Sequence, residues 1–230
     1  LKKSRINSTT VNLRFIHLFK HLTLQELADL SKHLHLVELN VGEALYRPGQ
    51  KLKGIYFIER GVLKQYKIGS KNKEQIYQIL SYNDMVGFDS ALNQIPATEF
   101  TTCMEKARLI FVPIEIVNKL FAENVQVRMQ LLQLSCRELG AAQNTIISFS
   151  QKSNRQRVID LLLDLRERFN LDQDNMINVS IKRIEIAGHI GANEENTIRI
   201  LSDLRKKRLI QTKGRKIGIL ELNRFGEAYS

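Results

Sequence analysis

The segment Lys182–Lys207, KRIEIAGHIGANEENTIRILSDLRKK, constrains the fold of this chain more than any other stretch. It reads as two short amphipathic helices joined by a tight turn. Ile184 and Ile186 lead to Ala187, and Gly191 follows four residues later. A second apolar-periodic run then holds Ile198, Ile200, Leu201 and Leu204. Small residues at positions 187 and 191 let two helices cross closely, as a helix-turn-helix requires.

Charge makes this segment more informative. The chain carries a formal net charge of +11, which favours a polyanionic partner. Between Arg199 and Lys216 there are eight Lys/Arg and one acid, Asp203. A solvated helix face is the bland alternative, but the basic run abuts the helix-turn-helix pattern. With 230 residues the chain can build one large or two modest cores. It has no apolar run near the roughly 20 residues that a membrane-spanning helix needs. No secretory signal is visible. Its two cysteines, Cys103 and Cys136, cannot form a disulfide framework and suggest a reducing, cytoplasmic setting. No nucleophile–base pair, phosphate-binding loop or metal-hydrolase motif points to an enzyme.

The expected order of elements is α+β. Residues 13–36 read as amphipathic helix. Val41–Gly69 carries glycines at 42, 49, 54, 61 and 69 between β-branched and aromatic residues, the pattern of short strands and turns. The β-rich part runs to Pro113, and from Ile114 to Phe149 the sequence reads as continuous helix. Within it Val125, Leu132, Leu139 and Ile146 recur every seven residues, with Met129, Cys136 and Gln143 between them. That seam predicts a helix that pairs with another, and a parallel homodimer is the expected arrangement. A helix packed only on its own domain is the alternative. Ser153 and Gln156 form a capping-box pattern that starts a new helix. LDQDNMINVSI reads as a loop and a strand. LIQTKGRKIGIL reads as a strand, a turn and a strand, a basic wing.

A β-rich sensor, a long dimer helix and a C-terminal winged helix, in that order, resemble the Crp/Fnr superfamily of bacterial transcription regulators. GEALYRPGQ…GIYFIERGVLKQYK is similar to the opening strands of the cyclic-nucleotide-binding fold, and IEIAGHIGANEENTIRILSDLRKKRLI to the family's DNA-binding motif. The resemblance implies a β-roll sensor over residues 1–120, a dimerisation helix over 121–150 and a winged helix-turn-helix over 151–230. It implies a homodimer on an inverted-repeat operator, with double-stranded DNA and RNA polymerase as partners. A regulatory protein that uses its cyclic-nucleotide-like domain to bind a ligand or another protein is the alternative.

Asn193 suits the N-cap of the second helix. Glu195 and Arg199, at i and i+4, stand where the family reads base edges, and Asn193 and Asn196 are further candidate base readers. Arg can bond bidentately to guanine and Glu can accept from cytosine. Two positions depart from the best-known relatives: Glu194 stands at a base-reading arginine of the cAMP-receptor branch, and Ile198 at a serine of the Fnr branch. Arg155, Lys213, Arg215 and Lys216 are candidate phosphate contacts.

The sensor loop, VGFDSALNQIPATEFTT, departs further. Gly87 matches the family's cAMP pattern. Phe88 replaces the ribose-binding glutamate, with Asp89 one residue late. Ala97 and Thr98 fall at the phosphate-binding arginine and its hydroxyl neighbour. No arginine lies anywhere from Val86 to Thr102, which argues against cAMP. Phe88, Ala97 and Phe100 predict a smaller or more apolar pocket than a nucleotide needs, with a pocket filled by side chains that binds nothing as the alternative, and Gln143 on the seam is a candidate for meeting an effector. Two cysteines do not supply the four thiolates of an iron–sulfur cluster. Haem stays open as an alternative, because His17 and His21 are spaced i, i+4 as metal ligands can be.

Overall fold

A computed structural model describes residues 3–5, 13–69 and 72–227. Two compact units emerge: Leu1–Lys67 with Gln78–Gly140, and Ile68–Tyr77 with Ala141–Ser230.

The first unit opens with β1 (Lys3–Arg5), two 3-10 turns (Leu13–Phe15 and His17–Phe19) and α1 (Leu24–Ser31). The strands follow as β2 (His35–Leu39), β3 (Ala44–Tyr46), β4 (Gly54–Ile68), β5 (Glu74–Leu80) and β6 (Met85–Val86). A short helix α2 (Phe88–Asn93) precedes β7 (Phe100–Pro113). The sheet order is β1-β2-β7-β4-β5, with β3 paired to β7 and β6 to β4. The pairings recorded for β1, β2, β3, β4, β6 and β7 are antiparallel.

The runs GIYFI and LIFV look too apolar for strands with one wet face, and the fold explains them. Alternate residues of a strand point to opposite faces. Tyr56, Ile58, Leu109 and Phe111 pack inside the roll with Val37, Leu39 and Leu63. Their neighbours Ile55, Phe57, Ile110 and Val112 pack outward against Leu13, Ile16, Phe19, Leu27, Leu30 and Val127. Both faces are therefore buried. The helical reading of residues 13–36 holds only for α1. Its capping box, Thr23 with Glu26, starts the helix late. His35 and Leu36 belong to β2, in register with Phe111 and Ile110 of β7.

The helical stretch after Pro113 is two helices: α3 (Ile114–Glu123) and α4 (Val125–Gln151). Asn124 divides them. Its Oδ1 accepts from the backbone N–H groups of Gln126 (3.0 Å) and Val127 (3.2 Å), which is an N-cap. The expected boundary at residue 120 thus falls inside α3.

In the second unit α5 (Asn154–Phe169), α6 (Arg183–Ile190) and α7 (Glu194–Lys206) contact one another. They are followed by the wing, β8 (Ile210–Lys213) and β9 (Lys216–Ile219), and by α8 (Leu222–Glu227). Ser153 caps α5 as expected: Gln156 N donates to Ser153 Oγ, and Ser153 N to Gln156 Oε1. Val158, Leu162, Ile186, Ile190, Leu201, Leu204, Ile217 and Phe225 are buried. The strand expected in LDQDNMINVSI does not form. Leu171 and Ile177 make only an isolated bridge around a turn.

Candidate nucleic-acid interface and sensor interior

The turn between α6 and α7 depends on Gly191, whose φ is +68°. A Cβ there would sit 2.6 Å from the Phe149 ring, so a larger residue would collide as well as strain the backbone. Asn193 is the N-cap of α7: its Oδ1 accepts from Asn196 N at 2.8 Å. That oxygen is therefore engaged by the helix rather than open to a base. Thr197, Leu201 and Leu204 form the buried face of α7. Glu194, Glu195, Ile198 and Arg199 are exposed on the other side. Ile198 shares the apolar periodicity of the run, yet it is 49% exposed because it lies on this outward face. Arg199 Nη2 donates to Asn196 Oδ1 at 3.1 Å, so Asn196 rather than Glu195 steadies the guanidinium.

Of the candidate phosphate contacts, Arg155 lies on α5 and Lys213, Arg215 and Lys216 on the wing. Arg155 pairs with Asp203, which also lies 3.7 Å from Lys207. Lys213 and Lys216 close the wing turn in register with each other. Lys213 Nζ is 2.7 Å from Asp174, and Lys216 Nζ is 2.6 Å from Asp172. Arg215, between them, is exposed. The acids at 172 and 174 gave no signal in the sequence, because their partners lie about forty residues away. Arg157 carries no local sequence signal either. Its guanidinium stacks over Phe149 at 5.0 Å and donates to the carbonyls of Lys152 (2.6 Å) and Ile190 (2.8 Å). It ties the end of α4 to the last turn of α6.

Along α4, Val125, Leu132, Leu139 and Ile146 are 58%, 57%, 61% and 69% exposed. Met129, Cys136 and Gln143 are exposed with them. The opposite side of the helix is the one that packs, through Val127 and, partly, Leu131 and Leu134. The seam is therefore a free apolar stripe within one chain.

The sensor interior differs from the expected apolar pocket. Phe88 heads α2 and packs with the outer layer, among the residues beneath the N-terminal helices. Phe100 stacks on Tyr66 at 5.1 Å. Asp89 and Thr98 are exposed, Gly87 and Ala97 are buried, and Gln143 lies in the other unit. What occupies the roll beside Ala97 is polar. Glu99, only 2% exposed, accepts from Tyr46 Oη (3.0 Å), Thr98 N (3.2 Å) and Thr98 Oγ1 (3.0 Å). Gln65 Nε2 donates to Tyr46 Oη at 2.9 Å. Burial raises the Tyr46 pKa and the Glu99 charge adds to the rise, so Tyr46 stays a neutral donor. Cys103 is buried and its thiol is pushed up to about 11 by that burial, while Cys136 is exposed.

A cavity of about 450 Å³ lies outside the roll, bordered by His17, His21, Asp84, Gln130, Arg137 and Glu138. Burial raises the Glu138 pKa, with Asp89 and Asp84 adding to it. His17 and His21 do not share an α-helix: His17 begins a 3-10 turn and its backbone N donates to Asn83. With its amide oriented to satisfy its neighbours, Gln130 accepts from His21 Nε2 at 3.0 Å. Among the described residues no group of three or more His, Cys, Asp or Glu is placed to hold a metal ion.

This architecture has relatives. Residues 36–124 match the cyclic nucleotide-binding domain, and residues 156–227 match the Crp-like helix-turn-helix domain. The chain belongs to the Crp/Fnr family of transcription regulators. It is 28% identical to the fumarate and nitrate reduction regulatory protein of Vibrio cholerae over 182 residues, 78% of this chain and 72% of the relative. It is 27% identical to the anaerobic regulatory protein of Haemophilus influenzae, over 88% of this chain and 79% of the relative. Among solved structures, FixK2 from Bradyrhizobium japonicum superposes with a TM-score of 0.76 at 21% identity, covering 85% of this chain and 96% of that one. A CRP/FNR-family regulator from Thermus thermophilus gives 0.71 at 17% identity, over 84% and 97%. As a Crp/Fnr protein the chain is a DNA-binding transcription regulator and not an enzyme. Among the described residues no helix is long and apolar enough to cross a membrane.

Proposed function

We propose that this Crp/Fnr regulator works as a parallel homodimer on an inverted-repeat operator, with an effector other than cAMP. The observation that carries the reading is the exposed heptad stripe of α4. Val125, Leu132, Leu139 and Ile146 present a continuous apolar edge to solvent, which a second copy would cover by knobs-into-holes packing. Two α7 helices would then stand about 34 Å apart, one turn of DNA. Glu195 and Arg199 are the proposed base readers, with Asn196 holding Arg199 and Asn193 setting the helix start. Arg155, Lys213, Arg215 and Lys216 are the proposed phosphate contacts. On this reading residues 1–120 sense, 121–150 dimerise and 151–230 bind DNA. RNA polymerase is the protein partner, and the site of action is the cytoplasm.

The case against cAMP rests on Glu99. A cyclic phosphate needs a cation in the roll. The loop supplies none, and a buried carboxylate stands two residues from the position where the family carries arginine. Sedimentation and a gel shift with inverted-repeat DNA across a salt series test the proposal together. The expected result is a dimer that prefers one inverted repeat over random DNA by roughly 10³-fold or more. A monomer with no preference would overturn it.

A further inference from the structure

Three acids shadow the basic residues proposed to meet the DNA backbone, and two of them lie on one turn. Leu171–Ile177 folds back on itself, with Asp172 N bonded to Met176 O at 2.8 Å. Asp172 Oδ1 accepts from the N–H groups of Asp174 (2.9 Å) and Met176 (3.0 Å), which fixes the carboxylate in the turn. Its Oδ2 takes Lys216, and Asp174 Oδ2 takes Lys213. The turn is seated on the wing by backbone contacts. Ile177 N donates to Ile217 O at 2.8 Å, and a Cβ on Gly218 would lie 2.7 Å from Asn175 O. These carboxylates therefore hold the two wing lysines proposed as phosphate contacts.

We propose that the Asp172–Asp174 turn is an intramolecular stand-in for DNA phosphate, which keeps the wing lysines out of sequence-independent binding until α7 is seated in its site. This rests on the assignment of the wing to the DNA backbone. A lysine held by a carboxylate offers no net charge to a loosely docked duplex, and the carboxylate repels it. In a seated complex a phosphate is held close enough to displace the acid, so the wing engages as the last contact. The structure supports the economy of this device. Lys213 and Asp174 are 75% and 61% exposed, so their pair adds little to fold stability, and its charge is available to an incoming polyanion. The Lys216–Asp172 pair is more sheltered, at 35% and 20%. Asp203, on α7, pairs with Arg155 and Lys207.

The test reads fluorescence anisotropy of full-length protein on a random-sequence duplex from about 50 to 200 mM salt, where each phosphate contact contributes a slope of about 0.9 in log K against log[salt]. Asp174→Asn frees Lys213. It is expected to steepen the slope by about 0.9 and raise low-salt affinity several-fold. Asp172→Asn, which keeps an oxygen for the turn, should do the same through Lys216. Lys213→Ala should abolish the gain in the Asp174→Asn background. An unchanged slope and affinity in both aspartate variants, with unaltered thermal melting, overturns the proposal. So does a gain that survives Lys213→Ala. Because the readout uses random DNA, it is independent of whether an operator or a dimer is found, and a wild type lacking operator preference would count against the functional reading instead.

Discussion

Arg199 stands clear of the domain core, with Asn196 as the neighbour that steadies its guanidinium. A positioned Arg can read guanine bidentately, and each such contact carries roughly 1–3 kcal/mol of discrimination. Arg199→Ala is expected to lose that amount on the operator and to relax one base position, as competition binding with single-base variants would show. Equal loss on operator and random DNA would remove Arg199 from the reading set. Asn193→Ala should instead destabilise the domain by about 1 kcal/mol, because its oxygen caps α7. His189 makes a second residue-scale point. Its Nδ1 is buried without a hydrogen-bond partner among the described residues. Burial, and then the Arg168 charge, push its pKa down from 6.5 to about 4. As pH falls the unfolded chain therefore takes up the proton first. The stability involved is fully present above pH 6.5 and drains away between 6.5 and 4, by up to about 3 kcal/mol. Denaturant unfolding over that range should show the loss, and His189→Gln should flatten it.

At the scale of elements α4 decides most. Its 27 residues span about 40 Å, and its two long sides have different fates. One packs on the first unit through Val127, and the other presents the seam. Leu139→Lys is expected to shift the protein to monomer in sedimentation and to cost operator binding far more than it costs folding, since Leu139 is 61% exposed in a single chain. Gln143→Leu should tighten the dimer if the glutamine only fixes register, because a polar residue at such a position costs stability. The seven-residue period was legible because it is a local repeat. The break at Asn124 was not, because the helical pattern runs through it. Only the caps of α4 show that the chain stops and restarts there. The wing was legible in LIQTKGRKIGIL, whereas the acidic turn against it was not.

For the whole molecule, the question is what the roll accepts. Glu99 is satisfied by Tyr46 and Thr98, with Gln65 behind them. Calorimetry with cAMP is expected to show no binding, and cAMP should leave operator affinity unchanged. A measurable cAMP heat would mean that the loop rearranges to supply a cation. The sequence by itself determined the order of elements, the helix-turn-helix with its Asn193 cap, the α4 period and the absence of arginine between Val86 and Thr102. Each of those is written in neighbours within a few residues, through periodicity, capping or simple absence. Only the tertiary structure decided which aromatic faces which layer, that Glu99 rather than Phe88 fills the roll, and that Asp172 and Asp174 sit on Lys216 and Lys213. Those pairings join residues roughly forty or more positions apart. Charge acts through space, so no local pattern along the chain records which acid a folded lysine will meet.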